Sequence, residues 1–196
     1  MASSRGERQI GKDLTEIAGN HISRYKWAIA MLQKYLPEGG KVLDAACGCA
    51  YGSQMMAQAG YNVIGFDISE EAELYSRNFQ HPKLRFKLAN IFDALADQYD
   101  AVVTMETIEH IQEDQEWINA LYQVTPLIIA TVPNQDVVPF DPIRNKYHVK
   151  HYTKPEFEGL LSSWKLSDWH TQDGKREDHT MRPGFNSHTL GVVARR

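Results

Sequence analysis

The sequence lacks the features by which membrane and secreted proteins are recognised. No segment approaches the roughly 20 consecutive apolar residues that a membrane span requires. The N-terminal residues contain no apolar core of the kind found in signal peptides. Cysteine is rare as well: only Cys47 and Cys49 are present, and they lie too close in sequence for an ordinary structural disulfide. These absences predict a protein of the reducing cytoplasm with no membrane span.

An excess of positive charge is also missing. The chain carries 21 Lys and Arg against 25 Asp and Glu, for a formal net charge of −4. This balance argues against general electrostatic attraction to nucleic acid, although a local basic patch remains open. With 196 residues, 42% of them hydrophobic, and no internal repeats, the chain predicts a single domain over residues 1–196. Within it, we expect residues 1–12 to be disordered and residues 13–36 to form an N-terminal helical cap.

Apolar segments and helical patterns alternate along the rest of the chain. Strands are predicted at residues 42–43, 62–67, 84–88, 99–104, 127–132, 166–170 and 188–194. Residues 133–149 have no periodicity and contain three prolines, which is typical of a long loop with a functional role. Residues 171–184 are charged, and we expect them to face solvent.

The most informative segment of the sequence is VLDAACGCAYGS at residues 42–53. An apolar strand ends in an acid, a loop of small residues follows, and a helix is predicted next, which is the ligand-binding corner of doubly wound α/β folds. Small side chains there let a ligand approach the backbone. The carboxylate of Asp44 would repel a pyrophosphate but suits a cationic amine. That preference favours S-adenosylmethionine (SAM), whose amino acid end carries an ammonium group.

The same stretch resembles the first motif of class I SAM-dependent methyltransferases, usually VLDxGCGxGxG. Ala50 departs from that pattern where glycine is usual, and we expect its methyl group to be tolerated if φ is negative. The resemblance implies a Rossmann-like, doubly wound sheet of seven strands, six parallel and the last antiparallel, with helices on both faces. It also implies SAM as cofactor. The residues expected to contact SAM are Arg24, Asp44, Ala46, Gly48, Asp67, Ile68, Asn90, Ile91 and Met105.

Three of these residues have specific expected roles. Asp67 follows Asp44 by 23 residues and ends a predicted strand, close to the spacing of about 20 expected for a ribose-binding acid. Asn90 stands where such methyltransferases commonly contact adenine. HISRY at residues 21–25 resembles the HxxRY segment of a methyltransferase subgroup, in which Arg24 would pair with the SAM carboxylate. The alternative for Arg24 is a solvated helix arginine.

The segment ETIEH at residues 106–110 is similar to the ExxEH of ubiquinone-biosynthesis O-methyltransferases. It also resembles small-RNA 3′-terminal 2′-O-methyltransferases, where ExxEH and a later histidine bind a divalent metal. His148 matches that histidine, and His151 is its neighbour. The resemblance therefore implies a site for Mg²⁺, Mn²⁺ or Zn²⁺, which would lower the pKa of an acceptor hydroxyl. The expected metal ligands are Glu106, Glu109, His110 and His148.

Two other interpretations of this segment stay open. In a metal-free site, Glu109 or His110 orients or deprotonates the acceptor, and His148 closes over it, so these three are the expected catalytic residues. In a purely structural site, the acids only stabilise a helix N-terminus.

The resemblance, which covers roughly residues 20–165, implies a methyltransferase that acts on a hydroxyl of a small molecule or sugar. The Asn/Asp-Pro-Pro-Tyr/Phe motif of amino-methylating DNA enzymes is absent after the fourth strand. The alternatives are 2′-O-methylation of an RNA terminus, with Arg144, Lys146 and Lys150 as the local basic candidates, and a regulatory subunit that binds SAM without turnover.

Overall fold

The computed structural model describes residues 8–174 and 178–196. The disorder predicted for residues 1–7 lies outside these residues. Residues 8–12 differ from that prediction, because they lie against the loop that follows the first strand. The carbonyl groups of Gln9 and Gly11 each accept a hydrogen bond from the Cys49 thiol at 3.8 Å. The segment thus has buried partners that its polar composition does not reveal.

Eight strands and five helices make up the described part of the chain. The strands are β1 (Lys41–Ala45), β2 (Asn62–Asp67), β3 (Leu84–Leu88), β4 (Ala101–Met105), β5 (Leu127–Pro133), β6 (Lys165–Gln172), β7 (Met181–Pro183) and β8 (Thr189–Arg195). The helices are α1 (Gly19–Tyr35), α2 (Tyr51–Gln58), α3 (Glu70–Ser76), α4 (Asp114–Val124) and α5 (Lys154–Leu160). Short 3₁₀ turns lie at Asp93–Ala96 and Ile108–His110.

The strands form one sheet in the order β3-β2-β1-β4-β5-β8-β6-β7. Neighbouring strands from β3 to β5 pair in parallel, whereas β8 pairs antiparallel with both β5 and β6. This arrangement confirms the predicted fold class and the antiparallel last strand. The sheet has one strand more than predicted, since β7 pairs with the end of β6. Three residues are too few for an alternation pattern, so the sequence gives no signal for β7.

Both faces of the sheet are covered, which explains the continuous apolar runs of its central strands. In β4, Val102 belongs to the same buried cluster as Trp117 of α4, while Val103 belongs to the cluster that contains Trp27 of α1. Consecutive side chains of a strand point to opposite faces, so a strand buried on both sides needs apolar residues throughout.

Helix α1 begins at Gly19, six residues later than the predicted cap. Residues 13–17 form turns instead, because the Asp13 side chain accepts a hydrogen bond from the Thr15 amide at 2.8 Å. Such local side-chain bonds compete with helix formation. Among the described residues, none of the helices is both long and apolar enough to cross a lipid bilayer.

The topology places the ligand crevice at the carboxyl end of β1, which pairs with β2 on one side and β4 on the other. Chain connections leave in opposite directions at this switch point, so a crevice opens above it. The long loop at residues 134–149 approaches the same edge. Its end is fixed where the Val149 amide donates to the Glu109 carbonyl at 2.7 Å.

Replacing Gly52 by alanine tests the close packing beneath this crevice. An added Cβ would lie 2.2 Å from the Tyr25 ring, which is held by a hydrogen bond from its hydroxyl to Asp44. We expect Gly52→Ala to lower the free energy of unfolding by about 1–3 kcal/mol, the usual cost of overpacking.

Gly159→Ala is the matched control, since Gly159 lies in α5 with no atom near the added Cβ. It should raise the free energy of unfolding by about 0.5–1 kcal/mol, because alanine is the better helix former. Urea unfolding of both variants measures the difference. Equal shifts of the same sign would contradict the packing argument.

Candidate active site

A cavity of about 930 Å³ lies at the carboxyl edge of the sheet. It is lined by residues from α1, from the loops after β1 to β4, and from the long loop. Every predicted site residue except Asp44 lines it. These are Arg24, Ala46, Gly48, Asp67, Ile68, Asn90, Ile91, Met105, Glu106, Glu109, His110 and His148.

Asp44 is fully buried beneath the loop and does not line the cavity. The hydroxyl groups of Tyr25 and Ser53 donate to its two carboxylate oxygens at 3.0 and 2.5 Å. Burial raises the pKa of Asp44 to about 7, and the two hydrogen bonds oppose that shift. Asp44 is therefore the one predicted site residue that the structure does not bring to the cavity, and its contact with a cationic amine stays a prediction. Asp44 instead joins β1 to α1 and α2.

The loop above Asp44 has a left-handed backbone at alternate residues, with φ of 58° at Ala46, 57° at Gly48 and 65° at Ala50. The condition under which the Ala50 methyl group would be tolerated, a negative φ, is thus not met, and an alanine in this conformation costs about 1–2 kcal/mol. Ala50 is buried and lies outside the cavity lining, so its methyl group does not obstruct a ligand. Its carbonyl accepts the Gln54 amide at 2.9 Å and begins α2.

Asp67 ends β2 and is oriented by the backbone around it. The amides of Gly48 and Ser69 donate to its two carboxylate oxygens, both at 2.9 Å. The side chain of Arg8 lies 3.4 Å from the same carboxylate. Arg8 and its neighbour Gln9 line the cavity but were not predicted as site residues, because no periodicity or motif marks that segment.

Glu106 lies apart from the other predicted metal ligands. Its backbone has φ of 51°, and its amide donates to the Thr131 carbonyl and hydroxyl oxygens, both at 3.1 Å. Its carboxylate lies 3.5 Å from the Arg24 guanidinium. Glu106 and Glu109 do not lie on one helical face, because Glu106 precedes the 3₁₀ turn and its left-handed backbone redirects its side chain.

The remaining three predicted ligands form a compact group. One ligand atom each from Glu109, His110 and His148 lies within 4.8 Å of the others. Glu109 is fully buried, whereas His110 is exposed and His148 is half-buried. One carboxylate and two imidazoles are a common ligand set for divalent metals.

Hydrogen bonds from the long loop fix which imidazole nitrogens carry lone pairs. The Val138 carbonyl accepts from His151 Nδ1 at 2.7 Å, so Nε2 of a neutral His151 is an acceptor and can receive the Nδ1 proton of His148 at 2.8 Å. The lone pair of His148 is therefore on Nε2. The Tyr147 carbonyl accepts from His110 Nδ1 at 2.9 Å, which likewise assigns the lone pair of neutral His110 to Nε2.

His148 is neutral at physiological pH. Burial lowers its pKa to about 4, and the neighbouring imidazoles of His110 and His151 add to the shift. A neutral imidazole can accept a proton or bind a metal, whereas a protonated one can do neither.

The sequence also matches a known protein family and several known proteins. The model of the methyltransferase domain family matches residues 19–195. A probable S-adenosylmethionine-dependent methyltransferase of Mycolicibacterium smegmatis is 27% identical over 134 residues, which are 64% of this chain and 51% of that protein. A ubiquinone biosynthesis O-methyltransferase of Leptothrix cholodnii is 31% identical over 94 residues, 44% of this chain and 40% of that protein. The chain thus spans about half the length of these curated relatives or less.

Solved structures support the fold. A crystal structure of magnesium protoporphyrin IX methyltransferase from Synechocystis PCC 6803 with bound SAM has a TM-score of 0.67 and 20% sequence identity. The match covers 90% of this chain and 80% of that one. At this identity the likeness concerns the fold alone.

The raised pKa of Asp44 makes stability depend on pH. The pKa is about 7 in the folded protein and about 3.9 in an unfolded chain. The folded state keeps a proton that the unfolded state releases between these values. The contribution of Asp44 to stability is therefore complete below pH 4 and is lost as pH rises through 7.

Asp44→Asn should remove this dependence. We expect the free energy of unfolding of the variant to rise relative to wild type between pH 4 and 7, by up to about 1.4 kcal/mol per pH unit. Urea unfolding at a series of pH values measures it. Asp97→Asn is the control: the hydrogen bond from Lys41 lowers the pKa of Asp97, so its difference from wild type should be constant above pH 5. A constant difference for Asp44→Asn would refute the proposed ionisation.

Proposed function

The chain belongs to the methyltransferase domain family, and from that premise we propose that it transfers a methyl group from SAM to a hydroxyl oxygen of a small molecule. One observation carries the proposal. A single cavity joins the small-residue loop and Asp67 to the group formed by Glu109, His110 and His148. The first set suits a nucleoside cofactor, and the second suits a hydroxyl group that must lose a proton.

The cofactor end of the cavity fits the chemistry of SAM. The Asp67 carboxylate is held in place by two backbone amides and can accept ribose hydroxyls. Beside it, Ile68 lines the cavity and is 64% exposed, which supplies apolar surface for a flat base. Asn90 and Ile91 line the same end.

When bound, SAM supplies a methyl group on a positively charged sulfur, which requires no further activation. The protein must then align the acceptor oxygen, exclude water and receive the acceptor proton. His148 Nε2 can take that proton while Nδ1 stays bonded to His151. Glu109 lies beside it and can orient the hydroxyl group.

A divalent metal fits the same group. Glu109, His110 and His148 would hold it through one carboxylate and two imidazole nitrogens, a set that favours Zn²⁺ over Mg²⁺. Its contribution would be to lower the pKa of the acceptor hydroxyl. The metal-assisted and metal-free versions use the same three side chains, so binding measurements must separate them.

Methylation of an RNA terminus is less well supported than methylation of a small molecule. None of the three basic candidates Arg144, Lys146 and Lys150 is part of the cavity lining. Two of them have acidic partners: Arg144 lies 3.4 Å from Asp141, and Lys150 lies 2.6 Å from Asp114. Their charges are therefore partly neutralised, and only Lys146 among the three lacks an ion pair in the described structure. A phosphate backbone generally needs several such contacts.

Calorimetry with SAM and its demethylated product S-adenosylhomocysteine tests cofactor binding. We expect micromolar affinity for both and none for NAD, because the loop after β1 has only Gly48 and Gly52 and so differs from the GxGxxG loop that holds a pyrophosphate. Transfer of a labelled methyl group to a panel of phenols and sugars then tests the activity. Glu109→Gln should keep cofactor affinity but lose transfer, with exposed Glu116→Gln as control. Absence of SAM binding would refute the proposal, and binding without transfer to any acceptor would favour the regulatory alternative.

If the site binds a metal, His148→Gln should lose metal affinity but keep cofactor affinity. Zn²⁺ affinity should fall tenfold or more, the loss typical of disturbed metal ligation, while affinity for S-adenosylhomocysteine stays within about twofold. His81→Gln is the control, since His81 is absent from the cavity lining and its Nδ1 accepts only a local amide from Lys83. Unchanged Zn²⁺ binding in His148→Gln, together with transfer that resists chelation, would support the metal-free version instead.

A further inference from the structure

We propose that His151 is a positioning residue, which holds His148 in the tautomer that keeps its lone pair on Nε2. This inference rests on the proposed function, in which His148 accepts the proton of the acceptor hydroxyl or binds a metal together with Glu109 and His110. Both roles need a lone pair on the ring nitrogen that faces the reacting group. His151 does not line the cavity, so it acts through His148 and not on a substrate.

The contact between the two rings joins the nitrogens on which the tautomer depends. His148 Nδ1 lies 2.8 Å from His151 Nε2, within hydrogen-bond distance. One of these two nitrogens must carry the proton and the other the lone pair. An unconstrained neutral histidine keeps its proton mostly on Nε2. The opposite tautomer at His148 therefore requires an acceptor beside Nδ1, and His151 is the group in that place.

His151 can accept this proton because its own proton is held on the other side of the ring. Its Nδ1 lies 2.7 Å from the carbonyl oxygen of Val138, which accepts only. A neutral His151 therefore has its lone pair on Nε2, toward His148. Two hydrogen bonds in series thus lead from His148 through His151 to the main chain, and the direction of the second determines the direction of the first.

Packing fixes the ring of His151 in this orientation. The residue is only 5% exposed, and the Phe140 ring lies 5.5 Å from its own, between centroids. The Phe140 amide donates to the Gln135 side chain at 2.8 Å, and the Gln135 amide donates to the Tyr152 carbonyl at 2.9 Å. These contacts tie the start of the long loop to the segment that carries His151. His151 is therefore a rigid acceptor, unlike a solvated histidine.

The other imidazole beside His148 is not suited to this task. His110 packs edge-on against His148 with 4.5 Å between ring centroids, and its Nδ1 is bonded to the Tyr147 carbonyl at 2.9 Å. A bond from His148 to its remaining nitrogen would use the lone pair by which His110 takes part in the group with Glu109. His151 therefore orients His148, while His110 stays a member of the group.

Two substitutions separate this role from a purely structural one, because amide side chains of different length replace one imidazole nitrogen at a time. In His151→Asn, the amide nitrogen can take the place of Nδ1 and keep the bond to Val138, but the side chain is too short to reach His148. In His151→Gln, the amide oxygen can take the place of Nε2 and accept from His148, whereas the bond to Val138 is lost.

Nitrogen NMR of protein with isotope-labelled histidine reports the tautomer of His148, whose signal is identified by its absence in His148→Gln. Wild type and His151→Gln should show a protonated Nδ1, whereas His151→Asn should move the proton toward Nε2. Methyl transfer, and Zn²⁺ affinity if the site binds a metal, should fall about tenfold to a hundredfold in His151→Asn, the usual loss when the partner of a functional histidine is removed. Both should recover in His151→Gln, and affinity for S-adenosylhomocysteine should stay unchanged in both variants.

His170→Asn is the matched control, since His170 also packs against an aromatic ring, that of Trp27 at 5.4 Å, but lies outside the cavity lining. It should leave the tautomer of His148 unchanged. A wild-type His148 protonated on Nε2 would overturn the proposal, and so would an unaltered tautomer in His151→Asn. Equal losses of transfer in both His151 variants would likewise overturn it, because they would indicate a structural role. The spectra need neither cofactor nor acceptor, so they decide this proposal even if S-adenosylhomocysteine does not bind and the proposed function fails.

Discussion

A buried carboxylate, that of Asp44, holds together the three elements around which the cavity is built. Its oxygens accept hydrogen bonds from Tyr25 in α1 and Ser53 in α2, while its backbone belongs to β1. Burying a carboxyl group is costly unless such donors are present. The Tyr25 ring then packs against Gly52, where no larger residue fits. The conformation of the small-residue loop thus depends on side chains beneath it as well as on its own glycine and alanine residues.

The long loop has a comparable role at the other end of the cavity. It brings three main-chain groups to the histidines and to Glu109: the carbonyls of Val138 and Tyr147, and the amide of Val149. Because a carbonyl accepts only, these contacts determine which imidazole nitrogens keep a lone pair. A segment without regular secondary structure therefore determines the tautomers of the histidines beside Glu109.

The cavity separates its charged groups into two sets with different tasks. Arg24 and Glu106 lie together at one wall, and the carboxylate of Glu109 lies with two imidazoles at another. Methyl transfer depends mainly on alignment of three atoms and exclusion of water, since the leaving sulfur is already activated. Two separate sets, one suited to fixing the cofactor and one to fixing the acceptor, meet that requirement.

The sequence by itself determined the strands of the parallel sheet through their apolar periodicity, and the resemblance carried by its loop of small residues implied the fold class. About half of the residues that line the cavity were among the predicted site residues. It did not determine the contacts of Asp44 and Glu106. Asp44 lies near the end of β1 and Glu106 directly follows β4. The Asp44 carboxylate accepts hydrogen bonds from Tyr25 and Ser53, whereas the Glu106 side chain turns toward Arg24. The strand β7, the contact of residues 8–12 with the loop and the positive φ of Ala50 also came only from the structure. Each depends on partners distant in sequence or on a backbone rotation, neither of which leaves a periodic pattern in the chain.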